Sequence, residues 1–194
     1  NNSLHGKRVR EFCEDNNGLL WIGTEDGGLN RFNPKEKIFS FFVPSSGFTN
    51  IQSLCMVGDK LWVGTFSKGL KIVDINTGSI LKTYQKTASS RSLIDNSIFA
   101  ICRTTIGDVY LGTMFGLLKY NDKTDDFDRI EELSGKFIYD IKEDSDGNIW
   151  LATYVNGAYC YNVNERKWKN YVHSESNKES ISCDKVLSVF EDSH

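Results

Sequence analysis

Short apolar runs separated by polar turn clusters recur along the whole chain, at a spacing that suits strands rather than helices. Leu19-Leu20-Trp21-Ile22-Gly23-Thr24, Leu61-Trp62-Val63-Gly64-Thr65, Val109-Tyr110-Leu111-Gly112-Thr113 and Ile149-Trp150-Leu151-Ala152-Thr153 are copies of one pattern. Each follows a turn residue, carries a central aromatic, and ends on a small residue plus Thr. Self-similarity of this kind marks a repeat architecture and has to be read before any single residue. Leu61-Trp62-Val63 and Ile98-Phe99-Ala100-Ile101-Cys102 are apolar at consecutive positions, as in strands covered on both faces. Lys167-Trp168-Lys169-Asn170-Tyr171 alternates instead, and its lysines discourage edge-to-edge pairing.

Around each copy the pattern predicts four short antiparallel strands in about 40 residues, the make-up of one propeller blade. Asp15-Asn16-Asn17-Gly18 reads as a hairpin turn because Asn and Gly accept the positive φ of tight turns. The predicted blades cover 9–42, 51–84, 98–130 and 137–171, with a surplus strand at 186–191. The fold class is therefore all-β: a β-propeller segment of four four-stranded antiparallel blades plus the first strand of a fifth. Residues 1–194 are read as a fragment of one propeller domain, with almost no helix; a solenoid or a flat sandwich is the alternative.

The central aromatics Trp21, Trp62, Tyr110 and Trp150 stand 41, 48 and 40 residues apart. The extra residues fall in Gln85–Ser97 and Val172–Lys185, polar linkers longer than a plain connection needs. Within them Arg91-Ser92-Leu93 and Glu179-Ser180-Ile181 echo Asn2-Ser3-Leu4, which precedes the first unit. The chain begins and ends at one phase of the repeat, so its open strand edge is expected to be covered by the remaining blades of a longer chain or by self-association.

The 194 residues carry a net charge of −3 with Lys and Arg dispersed, so no basic footprint for nucleic acid is present. No run reaches the roughly 18 apolar residues of a membrane helix, so no membrane contact is expected within this segment. Five cysteines argue against a fully paired disulfide framework. Cys13, Cys55 and Cys102 close the first strand of three successive units, where a free Cys serves as a small buried hydrophobe.

Asp144-Ser145-Asp146-Gly147-Asn148-Ile149-Trp150-Leu151-Ala152-Thr153, with Gly157 and Tyr161-Asn162 beyond it, resembles the two-component regulator propeller repeat. That repeat runs Asp-x-x-Gly-x-(Ile/Leu)-Trp-(Ile/Leu)-Gly-Thr-x-x-x-Gly. Asp15 to Phe32 matches almost as well; units two and three lack the leading Asp, and Tyr110 replaces Trp. The resemblance implies the periplasmic sensor region of a hybrid two-component histidine kinase of Bacteroidetes. Such a region, soluble part of an inner-membrane protein, senses oligosaccharides from polysaccharide breakdown and is not itself an enzyme.

The recurrent aromatics are read as packing between blades. Thr24, Thr65, Thr113 and Thr153 are expected to satisfy backbone groups at the strand end, and Gly28, Gly69, Gly116 and Gly157 to allow the loop geometry. Asp144-x-Asp146-Gly147-Asn148 has the outline of a calcium loop but lacks the Glu of an EF-hand, so neither metal nor cofactor is expected. His5, His173 and His194 show no triad grouping, and no catalytic residue is assigned. Function is expected where the units differ, in the loops after the second strands. Phe66, Lys68, Arg91, Phe115, Tyr154 and Asn156 are the candidate ligand-binding residues, with an oligosaccharide as partner; ordinary contacts between blades would explain the same residues. A protein-interaction scaffold is the alternative function, and a carbohydrate-active hydrolase or lyase propeller the remaining one.

Overall fold

A computed structural model describes residues 2–42 and 49–192. Sixteen strands among the described residues form four antiparallel four-stranded sheets, each built from consecutive strands. The first blade holds β1 (Val9–Glu14), β2 (Leu20–Thr24), β3 (Leu29–Asn33) and β4 (Ile38–Phe42); the second holds β5 (Ile51–Val57), β6 (Lys60–Thr65), β7 (Leu70–Asp74) and β8 (Ile80–Tyr84). The third holds β9 (Ile98–Arg103), β10 (Val109–Thr113), β11 (Gly116–Asn121) and β12 (Asp126–Ile130). The fourth holds β13 (Ile138–Glu143), β14 (Ile149–Thr153), β15 (Ala158–Asn162) and β16 (Lys167–Tyr171). A 3-10 turn, Glu131–Leu133, lies between the third and fourth blades and buries Leu133. The chain falls into two compact units, 1–101 and 102–194.

Each blade is built from the same local devices. Asn33, Asp74 and Asn162 end their third strands by accepting the N–H groups of the next turn, as in Lys35 and Glu36, Asn76 and Thr77, and Asn164 and Glu165. Thr24, Thr65, Thr113 and Thr153 each donate to a glycine carbonyl, at 2.9, 2.8, 2.8 and 2.6 Å. Gly157 has φ +75, and a Cβ there would lie 2.0 Å from the carbonyl oxygen of Tyr171, so only glycine fits.

The first strands contain a feature that alternation does not describe. Register shifts between Val9 and Glu11, Ile51 and Ser53, and Ile138 and Asp140 place one unpaired residue, Arg10, Gln52 or Tyr139, at the start of the strand. This is a β-bulge, which bends a strand and re-aims a side chain. The residues that face the core are then three apart: Ile51 and Leu54, Ile138 and Ile141, all buried.

In the first unit Trp21 and Leu29 meet Leu54, Leu61, Val63, Val73 and Ile75 of the following blade. Gly23 permits this approach, since a Cβ there would come within 2.5 Å of Ile51. The second unit buries Leu111, Leu117, Leu118, Phe127, Ile138, Ile149 and Leu151. The fourth strands β8 and β16 stay largely exposed, as alternation predicts.

Three expectations need amendment. Trp21 and Trp62 are buried, at 0% and 5% exposure, whereas Tyr110 and Trp150 are only half-buried. Cys13, Cys55 and Cys102 are also half-buried, and all five cysteines are free. Residues 186–191 stand in the place of a first strand but carry no strand assignment, because a strand needs a ladder and no described residue supplies the second strand. The segment is held by side chains instead. Glu191 accepts from the N–H of Ser145 and, at 2.7 Å, from its hydroxyl, as Glu143 accepts from Thr105 one blade earlier.

Candidate functional site

The loops after the second strands of the first, second and fourth blades have a common backbone. The N–H of Glu25, Phe66 and Tyr154 donates to the carbonyl of Arg8, Asn50 and Phe137 respectively, at 2.9, 2.9 and 3.1 Å. Each loop is also tied by a side chain: Thr24 accepts from the N–H of Gly27, Thr65 from that of Lys68, and Thr153 from that of Asn156. The long linkers reach the same loops. Asn96 accepts from the N–H of Gly69 through its carbonyl and from that of Lys86 through its side chain; Asp184 does the same for Gly157 and His173. Ser92 and Ser180 close the linkers by accepting from Thr87 and Ser174, which gives the recurrent Ser-Leu and Ser-Ile pairs a structural role.

On this constant frame the side chains change chemistry. In the first blade the bulged residue Arg10 and its neighbour Arg8 both pair with Glu25, at 3.6 and 3.4 Å. The same three positions in the fourth blade hold Tyr139, Phe137 and Tyr154. Phe137 and Tyr154 stack at 5.3 Å, Tyr139 lies 6.3 Å from Tyr154, and the Lys185 ammonium sits 4.5 Å from the centre of the Tyr154 ring. An ion pair thus gives way to an aromatic cluster carrying one cation, a surface that presents ring faces and a positive charge.

The six predicted residues fall into two groups. Phe66, Lys68 and Arg91 belong to the first unit, and Phe115, Tyr154 and Asn156 to the second. Phe66, Phe115 and Tyr154 are 43%, 55% and 37% exposed. Phe66 meets Phe99 edge-on at 6.0 Å. Phe115 accepts through its carbonyl from the N–H of Gly135. Beside Lys68 lies Lys71, whose pKa is drawn below the usual lysine range by burial and then by the Lys68 charge. Sequence reading singled out Tyr154 but not its neighbours Phe137, Tyr139 and Lys185, nor Lys71 beside Lys68. The bulge residues had a signal: apolar residues three apart within a strand, as in Ile138-Tyr139-Asp140-Ile141.

The leading Asp of the repeat also has an explanation. Asp144 accepts from the N–H groups of Asp146 and Asn148 and, at 2.7 Å, from the Trp150 indole; Asp15 does the same for Asn17, Leu19 and Trp21. Burial opposes the Asp144 charge, but bonds from Asn148 and Trp150 outweigh it and hold the carboxyl below its ordinary range. In the third blade Thr104 stands at this position and Tyr110 replaces the indole that would need the carboxylate. A cleft of about 350 Å³ between Trp150 and Val189–Glu191 lies on this turn, away from the loops described above. Among the described residues no group of three or more His, Cys, Asp or Glu converges on a metal position.

The two component regulator propeller family matches residues 3–26 and 132–155, in each case from the residues leading into a blade through its second strand. Both matched segments are similar to that repeat, and together they span about a quarter of the chain. A relative named Histidine kinase P4, from Formosa agariphila, is 27% identical over 94% of this chain, which spans 14% of that protein. Among solved structures, an extracellular domain assigned to the hybrid two component system BT3049 of B. thetaiotaomicron is 24% identical, with a TM-score of 0.61 over 98% of this chain and 32% of its own. PorZ, a surface component of the type-IX secretion system of Porphyromonas gingivalis, is 17% identical with a TM-score of 0.72, over 93% of this chain and 29% of its own. These structures share the propeller fold. Among the described residues no helix is long and apolar enough to cross a membrane.

Proposed function

We propose that this chain is the non-catalytic sensory segment of a two-component signalling protein, held in the periplasm, and that it binds an oligosaccharide on the loops after its second strands. The observation that carries the reading is the exchange of chemistry on a fixed backbone: Arg8, Arg10 and Glu25 in one blade against Phe137, Tyr139 and Tyr154 in another. A scaffold that only packs blades together has no need of a partly exposed Phe–Tyr stack beside a lysine. The kinase name of the Formosa relative and the extracellular origin of the BT3049 domain support the setting.

Calorimetry of the chain against a panel of neutral and acidic oligosaccharides tests it. Saturable binding without turnover is expected, and Tyr154→Ala should weaken it about tenfold or more, the loss of roughly 1.4 kcal/mol. Release of product from any sugar would refute the non-catalytic reading. Silence across the panel would favour the protein-interaction scaffold.

A further inference from the structure

The first and second blades meet through a filled seam. Arg31 lies 5.3 Å from the Trp21 ring and 5.1 Å from Phe42, and its guanidinium donates to the carbonyl of Ile75 at 2.8 Å. Phe42 rests on the turn glycine of the second blade, where a Cβ at Gly78 would lie 2.1 Å from its ring. Every equivalent position changes between the third and fourth blades, at residues that all lie in the second unit. Tyr110 replaces Trp21, Lys119 replaces Arg31, Ile130 replaces Phe42 and Arg166 replaces Gly78. Lys119 turns to Asp108 at 2.6 Å instead of crossing the seam.

The result is an open cleft of about 530 Å³, lined by Tyr110, Lys119, Ile130 and Glu132 on one side and Tyr161, Arg166, Lys167 and Trp168 on the other. That volume falls within the range of small-ligand sites, roughly 300–1,000 Å³. Tyr161 and Trp168 form a ring pair at 5.1 Å. Such a pair recurs as Phe32 with Phe39 and Tyr120 with Phe127, so the pair is a packing device of the repeat; in the fourth blade it also lines the cleft. Arg166 has φ 54, a left-handed turn position that Lys37 and Asp125 also adopt, so its backbone is not exceptional; here the position sets a cation at the cleft. Neither Arg166 nor Lys167 forms an ion pair among the described residues. With Glu132 opposite and Lys119 neutralised by Asp108, the cleft carries a net positive charge. Burial raises the Tyr110 phenol pKa above its usual value, keeping the hydroxyl a neutral donor.

We propose that this cleft is a second ligand site, separate from the loops above, for a carboxylate-bearing ring compound of one or two rings. The ring would lie against Trp168 and Tyr161, and the carboxylate would meet Arg166 and Lys167. Carboxylated sugars and aromatic carboxylates share this chemistry, and the test separates them.

Digalacturonate, 4-hydroxycinnamate and a neutral disaccharide are titrated into the whole chain, with heat and tryptophan fluorescence as readouts. One acidic probe should saturate below about 1 mM, and the neutral sugar should not. Arg166→Gln, an exposed change that leaves the ring pair intact, should weaken binding about tenfold, with Trp168→Ala at least as severe. Tyr154→Ala should leave this binding unchanged, which separates the cleft from the sugar-binding loops. Absence of saturation with both acidic probes, equal binding of the neutral sugar, or binding unaffected by Arg166→Gln would each overturn the proposal.

Discussion

Removing the carboxylate of Asp15 should destabilise the first unit more than its place in a surface turn suggests. Asp15 is 5% exposed and accepts from Asn17 N–H at 2.9 Å, Leu19 N–H at 3.1 Å and the Trp21 indole at 2.7 Å. Asn17 is exposed and can turn to water, but Trp21 is fully buried and Leu19 is half-buried. A buried donor left without an acceptor costs about 1–3 kcal/mol. Asp15→Ala should therefore cost about 2–4 kcal/mol, or roughly 4–16 °C in Tm at 2–4 °C per kcal/mol. Asp15→Asn can keep the turn bonds while presenting an amide N–H₂ to the indole, so about 1–3 kcal/mol is expected. Urea denaturation followed by circular dichroism measures both variants, and Trp21→Phe completes a cycle with Asp15→Ala. Removing both partners should cost less than the two single losses together by at least about 1 kcal/mol. Additivity within about 0.5 kcal/mol, or a loss below about 0.5 kcal/mol for Asp15→Ala, would refute the carboxylate–indole bond as the reason for the leading Asp.

Three further outcomes are expected. Gly157→Ala should lower stability by about 2 kcal/mol or more, since its Cβ would meet the Tyr171 carbonyl at a positive φ; thermal unfolding measures it, and an unchanged Tm would count against the close approach. Asp144 has a depressed folded-state pKa, so its contribution is complete above the ordinary carboxylate pKa of about 3.9 and is lost as pH falls through the lower folded value. Tm measured from pH 6 down to about 2 should therefore fall less steeply below about pH 4 in Asp144→Asn than in the parent, and parallel curves would refute the assignment. In the folded protein Cys183, which is exposed, should alkylate first, while Cys13 should lag because burial pushes its thiol up to about 11; mass spectrometry of the modified sites reads the order.

Local chemistry made most of the architecture legible. Turn residues such as Asn16-Asn17-Gly18 and the apolar runs around Trp21 and Trp62 act within a few neighbours, so strand limits follow from the chain alone. The Thr at each strand end and the glycine beyond it are equally local, because Thr153 bonds to Gly157 only four residues away. The bulges at Arg10, Gln52 and Tyr139 were written in the sequence as apolar residues three apart, but alternation was the wrong template for them. Which residues assemble a surface was another matter. Phe137, Tyr139, Tyr154 and Lys185 come from a linker, a bulge, a loop and a second linker, and only the folded backbone brings them together. The seams show the same limit. Trp21 and Tyr110 occupy one repeat position, yet the first is sealed by Phe42 and Arg31 while the second borders an open cleft. The sequence by itself determined the repeat, because each copy satisfies its own backbone; the tertiary structure decided which seams close, because closure depends on side-chain volumes contributed by two blades at once.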